Sequence, residues 1–345
     1  MIYPEFTSHT LQITVPRTGK ILFQTFALTL CITILRAEIP DGYYDDTEGL
    51  EGDALRIVLH SIIDNHQVQS YSSLFASFET TDIKPDGTVW DMYSDVPGGI
   101  PPYVYHYGGA DQCGNYNSEG DCFNREHSWP QSWFNSDLPM RTDLFHIYPT
   151  DGYVNGQRGN YPYGEVGTAT WTSLNGSMRG LSSFSGYSGI VFEPVNEYKG
   201  DLARTYFYMC TRYYTEDAGW LANDMVDGAD LLPWAVNLLT YWSANDPVSQ
   251  KELDRNEAIY LIQQNRNPFI DHPEWVECIW GDGCVMMGDM NQDSAVDVLD
   301  VVIMVNIVLS GNPTNTQLLT GDLNADTTID VLDVVILVGM ILGTL

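Results

Sequence analysis

The chain has 345 residues, enough for one ordinary domain plus a smaller module, and a hydrophobic content of 44% supports a real core. Its 30 glycines, 17 prolines and 21 tyrosines argue against a bare helical bundle. A formal charge of −31, from 15 basic and 46 acidic residues, excludes nucleic-acid binding through a broad basic surface, while a local site with bound cations stays open.

In chain order, Arg17 and Lys20 precede an apolar run over 21–35 that Arg36 ends; this reads as an export signal over 1–37, with Ala37 last before cleavage. Leu55, Val58, Leu59 and Ile62 recur at helical spacing and predict a helix over about 52–65. The turn signals Pro85-Asp86-Gly87 and Pro97-Gly98-Gly99 bracket a strand candidate at 89–95, and 101–107 is a second, with His106 packed inside. Residues 168–189, rich in Gly, Ser and Thr, read as loop with short strands. A helix follows from Lys199, with Leu202, Tyr206, Phe207, Met209, Cys210 and Tyr213 as one apolar side. The 230–242 stretch is apolar and partly helical, interrupted early by Pro233. A further helix runs from Asp246-Pro247 to about 265, and His272 is expected to hydrogen-bond beside Asp271. Cys31 lies in the leader. Cys113 with Cys122, and Cys278 with Cys284, are spaced to pair in an oxidising compartment, which leaves Cys210 free.

The end of the chain repeats. GDMNQDSAVDVLDVVIMV from Gly288 returns as GDLNADTTIDVLDVVILV from Gly321, a period of 33. Asp289, Asn291, Asp293, Asp297 and Asp300 fall at positions 1, 3, 5, 9 and 12 of a cation loop, with the Ala295 carbonyl at position 7. Asp322, Asn324, Asp326, Asp330 and Asp333, with the Thr328 carbonyl, repeat the set. Hard oxygen ligands at this spacing suit two Ca²⁺ ions. Ser294 and Thr327 stand at position 6, where such loops usually have glycine. The tandem loop–helix resembles a type I dockerin. That resemblance implies an all-α module of two EF-hand-like repeats over 281–345 and a cohesin-like partner. The positions just after position 9, which commonly hold small hydroxyl residues in that family, are here Val298, Leu299, Val331 and Leu332, so a cell-surface or intramolecular partner stands beside a cohesin.

The densest chemistry lies between Cys122 and Glu165. Glu126 offers a hard anionic metal ligand, His127 a neutral base, Asn155 a second oxygen and Arg158 a phosphate fork. Adjacent residues on a strand point to opposite sides, so Glu126 and His127 would converge more easily on a turn or bulge. Gln131, Trp129 and Trp133 are candidates to line a groove. No HExxH or Cys/His tetrad supports zinc, and no G-x-S-x-G elbow supports a serine hydrolase. The chemistry alone indicates metal-assisted hydrolysis of an anionic substrate.

The segments NREHSWPQSWF from Asn124, TDLFHIYPTDGYVNGQRGNYPYGEV from Thr142, VFEPVNEYKGDLARTYFYM from Val191 and NEAIYLIQQNRNPFIDHPEW from Asn256 resemble the secreted bacterial endonuclease I family. The resemblance implies an α+β, largely helical catalytic domain over 38–280, built around a ββα-metal (His-Me) finger. It implies a secreted nuclease that hydrolyses DNA, with RNA open, largely without sequence preference, leaving 5′-phosphate ends. His127 would be the general base, and Glu126 and Asn155 would hold one Mg²⁺ (or Mn²⁺). Arg158 and Asn160 match an RxN element that braces the finger or clamps phosphate, and Arg125 is a candidate backbone contact. Where the family often has DLHH, this chain has Asp143-Leu144-Phe145-His146, and Phe145 cannot donate a hydrogen bond. Two other classes compete: a catalytically weakened nucleic-acid or cell-surface binding protein anchored through its calcium module, and a phosphodiesterase of small substrates.

Overall fold

The computed structural model describes residues 39–343 apart from 282, 285, 286, 294 and 325; the leader expected at 1–37 lies outside the described residues. The chain forms α1 (Gly52–Ile63), α2 (Leu74–Thr81), β1 (Phe123–His127), β2 (Ile147–Asp151), α3 (Gly152–Arg158), β3 (Val166–Thr172), β4 (Met178–Ser182), β5 (Ile190–Glu193), α4 (Lys199–Arg212), β6 (Val226–Asp227), β7 (Asp230–Leu231), α5 (Pro233–Asn245), α6 (Gln250–Gln263), α7 (Pro268–Asp271) and α8 (Trp275–Trp280). Then come α9 (Val298–Ser310), α10 (Asn315–Gly321) and α11 (Val331–Ile341). Helices and small antiparallel sheets are mixed, as expected of an α+β chain. Among the described residues, no helix is long and apolar enough to cross a membrane.

The organising element is α4, every residue of which is buried. Its apolar side was legible in the sequence, but its polar side also faces protein. Buried charges need partners, and α4 finds them on distant elements: Arg204 forms a two-pronged pair with Glu252 on α6 (2.6 and 2.8 Å), Asp201 receives Lys251 (2.6 Å), and Lys199 reaches Glu193 (2.7 Å). Glu252 also closes a capping box with Ser249, so one carboxylate both starts α6 and neutralises α4.

Several local expectations change. The strand candidates at 89–95 and 101–107 make only isolated bridges, Ile83 with Val89 and Thr88 with His106. Asp91 and Asp95 turn that segment instead, because their carboxylates accept from backbone and side-chain donors. His106 is exposed rather than packed. The Gly/Ser/Thr-rich stretch forms a three-stranded meander, β3-β4-β5, with a bulged β3–β4 register. Pro233 does not interrupt a helix; it opens α5 at the first position, where its missing N–H costs nothing. His272 does make a structural hydrogen bond, with Glu274 (3.0 Å). Cys113–Cys122 and Cys278–Cys284 are disulfides, and Cys210 is free and buried.

In the C-terminal repeats, α9 and α11 share a small core of Met290, Met304, Ile307 and Leu337. Positions 9 and 12 of each loop double as N-cap and N3 of the following helix: Asp297 with Asp300, and Asp330 with Asp333, close capping boxes. Asp300 is fully buried and accepts from the N–H groups of Met290 (2.8 Å), Asn291 (3.2 Å) and Asp297 (2.8 Å). Asp333 repeats the arrangement with Leu323, Asn324 and Asp330. Thr327, at the position that favours glycine, has φ +72°, a left-handed backbone that a β-branched side chain resists.

Candidate active site

β1 and β2 pair antiparallel in regular register, Glu126 opposite Tyr148 and His127 opposite Ile147. Asp151 ends β2 and caps α3 through a bond from the Val154 N–H (2.8 Å), so the chain turns from strand to helix without a loop. The other oxygen of that carboxylate accepts from the Tyr105 hydroxyl (2.6 Å) and the Gly120 N–H (2.8 Å). The result is a strand–strand–helix unit in which α3 covers the outer edge of β1.

That cover is specific. Alternate carbonyls of an edge strand point outward. Asn155 Nδ2 approaches the Arg125 carbonyl (3.5 Å), and Arg158 Nη1, one helical turn on, donates to the His127 carbonyl (3.1 Å). The i, i+3 spacing on the helix meets the i, i+2 spacing on the strand. Arg158 is only 1% exposed; Nη2 donates to the Ser128 carbonyl and the Tyr206 hydroxyl, and Nη1 pairs with Glu126 Oε1 (3.2 Å). Its fork is therefore committed to the protein. Of the two roles open to it in the sequence, this geometry fits bracing. Asn160 lies apart and exposed, in a cleft of about 410 Å³ that Trp133, Tyr161, Tyr187 and Asp224 also line. Trp129 is wholly buried and lines no groove.

Because β1 stays regular through both residues, Glu126 and His127 leave it on opposite sides; the bulge or turn that would bring them together locally does not form. Glu126 faces Arg158 and the hydroxyl of Tyr93, which donates to Oε1 (3.0 Å) and pairs with the Tyr163 hydroxyl (2.8 Å). Oε2 has no protein partner among the described residues. Burial pushes the Glu126 carboxyl up to about 7, with Arg158 and the Tyr93 hydroxyl pulling the other way.

His127 packs on the other side. Its Nε2 lies 3.1 Å from the Arg141 carbonyl, which can only accept, so Nε2 carries the hydrogen and Nδ1 keeps a free lone pair. Tyr71 stacks on the ring (6.2 Å between centroids, 20° between planes), and His146 meets it edge-on (5.4 Å). Burial, then the neighbouring His146, lower the His127 pKa to about 3, so the imidazole is neutral at any ordinary pH. The supporting turn hangs on buried Asp143, which accepts from the hydroxyls of Tyr208 (2.9 Å) and Tyr213 (2.8 Å) and from Gln263 (3.0 Å). Phe145 points away into the core against Tyr208 (4.5 Å between centroids), and it is His146 that touches the His127 ring.

Tyr71, Tyr93 and Tyr163 were not singled out in the sequence, and Tyr206 was read there only as part of the apolar side of a helix. Each reaches the site from a separate part of the chain, and no local spacing marks them among so many tyrosines.

A neutral histidine, an inward carboxylate and a helix-borne carboxamide on one strand–strand–helix unit define the class: the chain belongs to the endonuclease I family, whose sequence model matches residues 51–274. Residues 287–342 match the dockerin type I domain. Among individual proteins, the chain is 36% identical over 249 residues to the extracellular ribonuclease of Bacillus subtilis (strain 168), covering 70% of this chain and 78% of that one. It is 35% identical over 262 residues to the extracellular ribonuclease of Bacillus amyloliquefaciens (74% and 83%). An extracellular deoxyribonuclease of Aeromonas hydrophila is 23% identical over 267 residues (71% and 96%).

Proposed function

We propose that the protein is a secreted, divalent-metal-dependent endonuclease that cuts phosphodiester bonds largely without regard to sequence, with the strand–strand–helix unit acting as a ββα-metal finger. The observation that carries this is the oriented base: a neutral His127 whose Nε2–H is held by the Arg141 carbonyl, so that Nδ1 can take a proton from an attacking water. Glu126 and Asn155 are the residues that would hold Mg²⁺ or Mn²⁺. The donor chemistry fits: Oε2 of Glu126 is uncommitted, and the Asn155 amide turns its nitrogen to the Arg125 carbonyl, which leaves its oxygen as the ligand. The bound ion would supply positive charge at the scissile phosphate and the departing 3′ oxygen. Arg158 is a positioning residue; it fixes the carbonyls of His127 and Ser128 and the Glu126 carboxylate together.

The names of the relatives bring RNA forward beside DNA as substrate. Because water would attack and the 3′ oxygen would depart, both should yield 5′-phosphate and 3′-hydroxyl ends. Cutting a labelled RNA and mapping its ends tests this: 5′-phosphate and 3′-hydroxyl are expected, whereas a 2′,3′-cyclic phosphate would mean that the 2′-hydroxyl attacks and that His127 has another role. In the C-terminal repeats, each loop supplies four carboxylates, a carboxamide and a carbonyl, a set that suits one Ca²⁺ per loop. Val298 (66% exposed) and Val331 (64%), with Leu299 and Leu332, would give the module two equivalent apolar patches for a cohesin-type or cell-surface partner.

A further inference from the structure

An acidic chain that must bind a polyanion has few cations to spare. Among the described residues, every lysine and arginine lies within ion-pair distance of a carboxylate except Arg125, Arg141 and Arg179. Arg179 is occupied elsewhere, donating to the Gln157 carbonyl (3.0 Å) and lying over Tyr161. The other two share one platform. The Arg125 guanidinium is 3.9 Å from the centroid of the Tyr71 ring and that of Arg141 is 4.5 Å from it, and Tyr71 is the ring stacked on His127.

Both side chains are half-buried, and the Nε of each is buried without a partner. Arg125 is further fixed by Phe75 (4.5 Å) and by a bond from Nη1 to the Tyr71 carbonyl (3.0 Å). The two guanidiniums share one ring, so the pair is held side by side against its own repulsion. In a chain of charge −31, two guanidiniums kept from every carboxylate and aimed beside the general base are arranged for an anion from outside.

We propose that Arg125 and Arg141, braced on Tyr71, form a phosphate clamp that grips the phosphodiester adjoining the scissile one on the same strand. The proposal rests on the nuclease reading. It makes the preferred substrate a strand with at least one further phosphate, and it gives an acidic protein its salt-sensitive grip through one short cationic site.

The test uses the full chain carrying His127→Ala, which leaves the strand uncut, in calcium buffer, with a fluorescein-labelled single-stranded DNA hexamer read by anisotropy across a salt series. Arg125→Gln and Arg141→Gln should each weaken binding about tenfold at low salt. Each should also reduce the slope of log affinity against log salt by roughly 0.7, the loss of one single-strand phosphate contact. The double variant should bind little worse than either single one, because both act on the same phosphate. An unchanged slope, or losses that simply add, would overturn the clamp. If a Gln variant melts early, Arg125→Lys and Arg141→Lys keep the charge and lose the fork: weaker binding at an unchanged slope supports the clamp, and unchanged affinity overturns it. Plasmid cleavage by the unaltered chain in Mg²⁺, run alongside, reports on the nuclease reading alone. Cleavage without a slope effect removes only the clamp; a slope effect without cleavage removes only the nuclease.

Discussion

Replacing Arg158 by Met tests the brace at the centre of the site. The substitution keeps most of the packing and removes the guanidinium that serves Glu126, the His127 carbonyl and the Ser128 carbonyl. Stranding one member of a buried ion pair costs about 3–5 kcal/mol. The His127 carbonyl loses a donor, roughly 1–3 kcal/mol more, whereas Ser128 keeps the Tyr206 hydroxyl (2.7 Å). A loss of about 5 kcal/mol is comparable with the whole stability of many domains. The sign with pH is fixed by Glu126. Burial already raises its carboxyl to about 7, against the lowering pull of Arg158, so without Arg158 it rises further. An acid whose folded pKa exceeds its unfolded value contributes stability at low pH that is lost as pH climbs through the folded pKa. The cost of Arg158→Met should therefore be smaller at pH 5, where Glu126 takes up a proton, than at pH 8. Urea unfolding followed by tryptophan fluorescence measures it, and because all nine tryptophans lie between residues 90 and 280, the signal reports on the region before the C-terminal repeats. Adding Glu126→Gln should restore part of the loss at pH 8. A cost equal at both pH values, or below about 1 kcal/mol, would refute the buried-pair argument.

Other outcomes follow from the same geometry. Phe145→His, which restores the family's more usual residue, places a polar ring in the core against Tyr208 and should cost roughly 1–3 kcal/mol without raising activity; a faster enzyme would show that the residue acts on the site. Thr327→Gly relieves a left-handed β-branched residue and should stabilise the second loop by about 1 kcal/mol, tightening calcium roughly fivefold by calorimetry; weaker binding would contradict this. Chelating calcium leaves the clustered aspartates of both loops unneutralised, so far-ultraviolet circular dichroism should lose the helicity of α9 and α11 while tryptophan fluorescence stays unchanged.

What could be read in advance was local in sequence. Asn155 and Arg158 fall one helical turn apart and do lie on one face of α3, against β1. The repeated loop–helix units were legible because their oxygen-bearing residues recur at one spacing, and in the fold two of those positions, three residues apart, also close a capping box. What was hidden depends on residues far apart in the chain. Tyr93 reaches Glu126 from 33 residues away and Tyr206 reaches Ser128 from 78, so no window contains either pair. Nothing local marked the polar side of α4 as buried, because Glu252, which neutralises Arg204, lies on another helix 48 residues on. The meander was disguised by glycine and serine, whose weak strand preference is overridden by pairing; at Gly180 an added Cβ would collide with the Thr168 carbonyl, so the residue that weakens the pattern is the one the sheet requires.

The most direct measurement is cleavage of supercoiled plasmid by the full chain, with Mg²⁺ and with chelator, beside His127→Ala. Nicked and then linear DNA, formed only with the metal and only with His127 in place, is the predicted result. Equal cleavage by His127→Ala, or none by the unaltered chain with any divalent ion, would contradict the assignment of His127 as the base of an endonuclease.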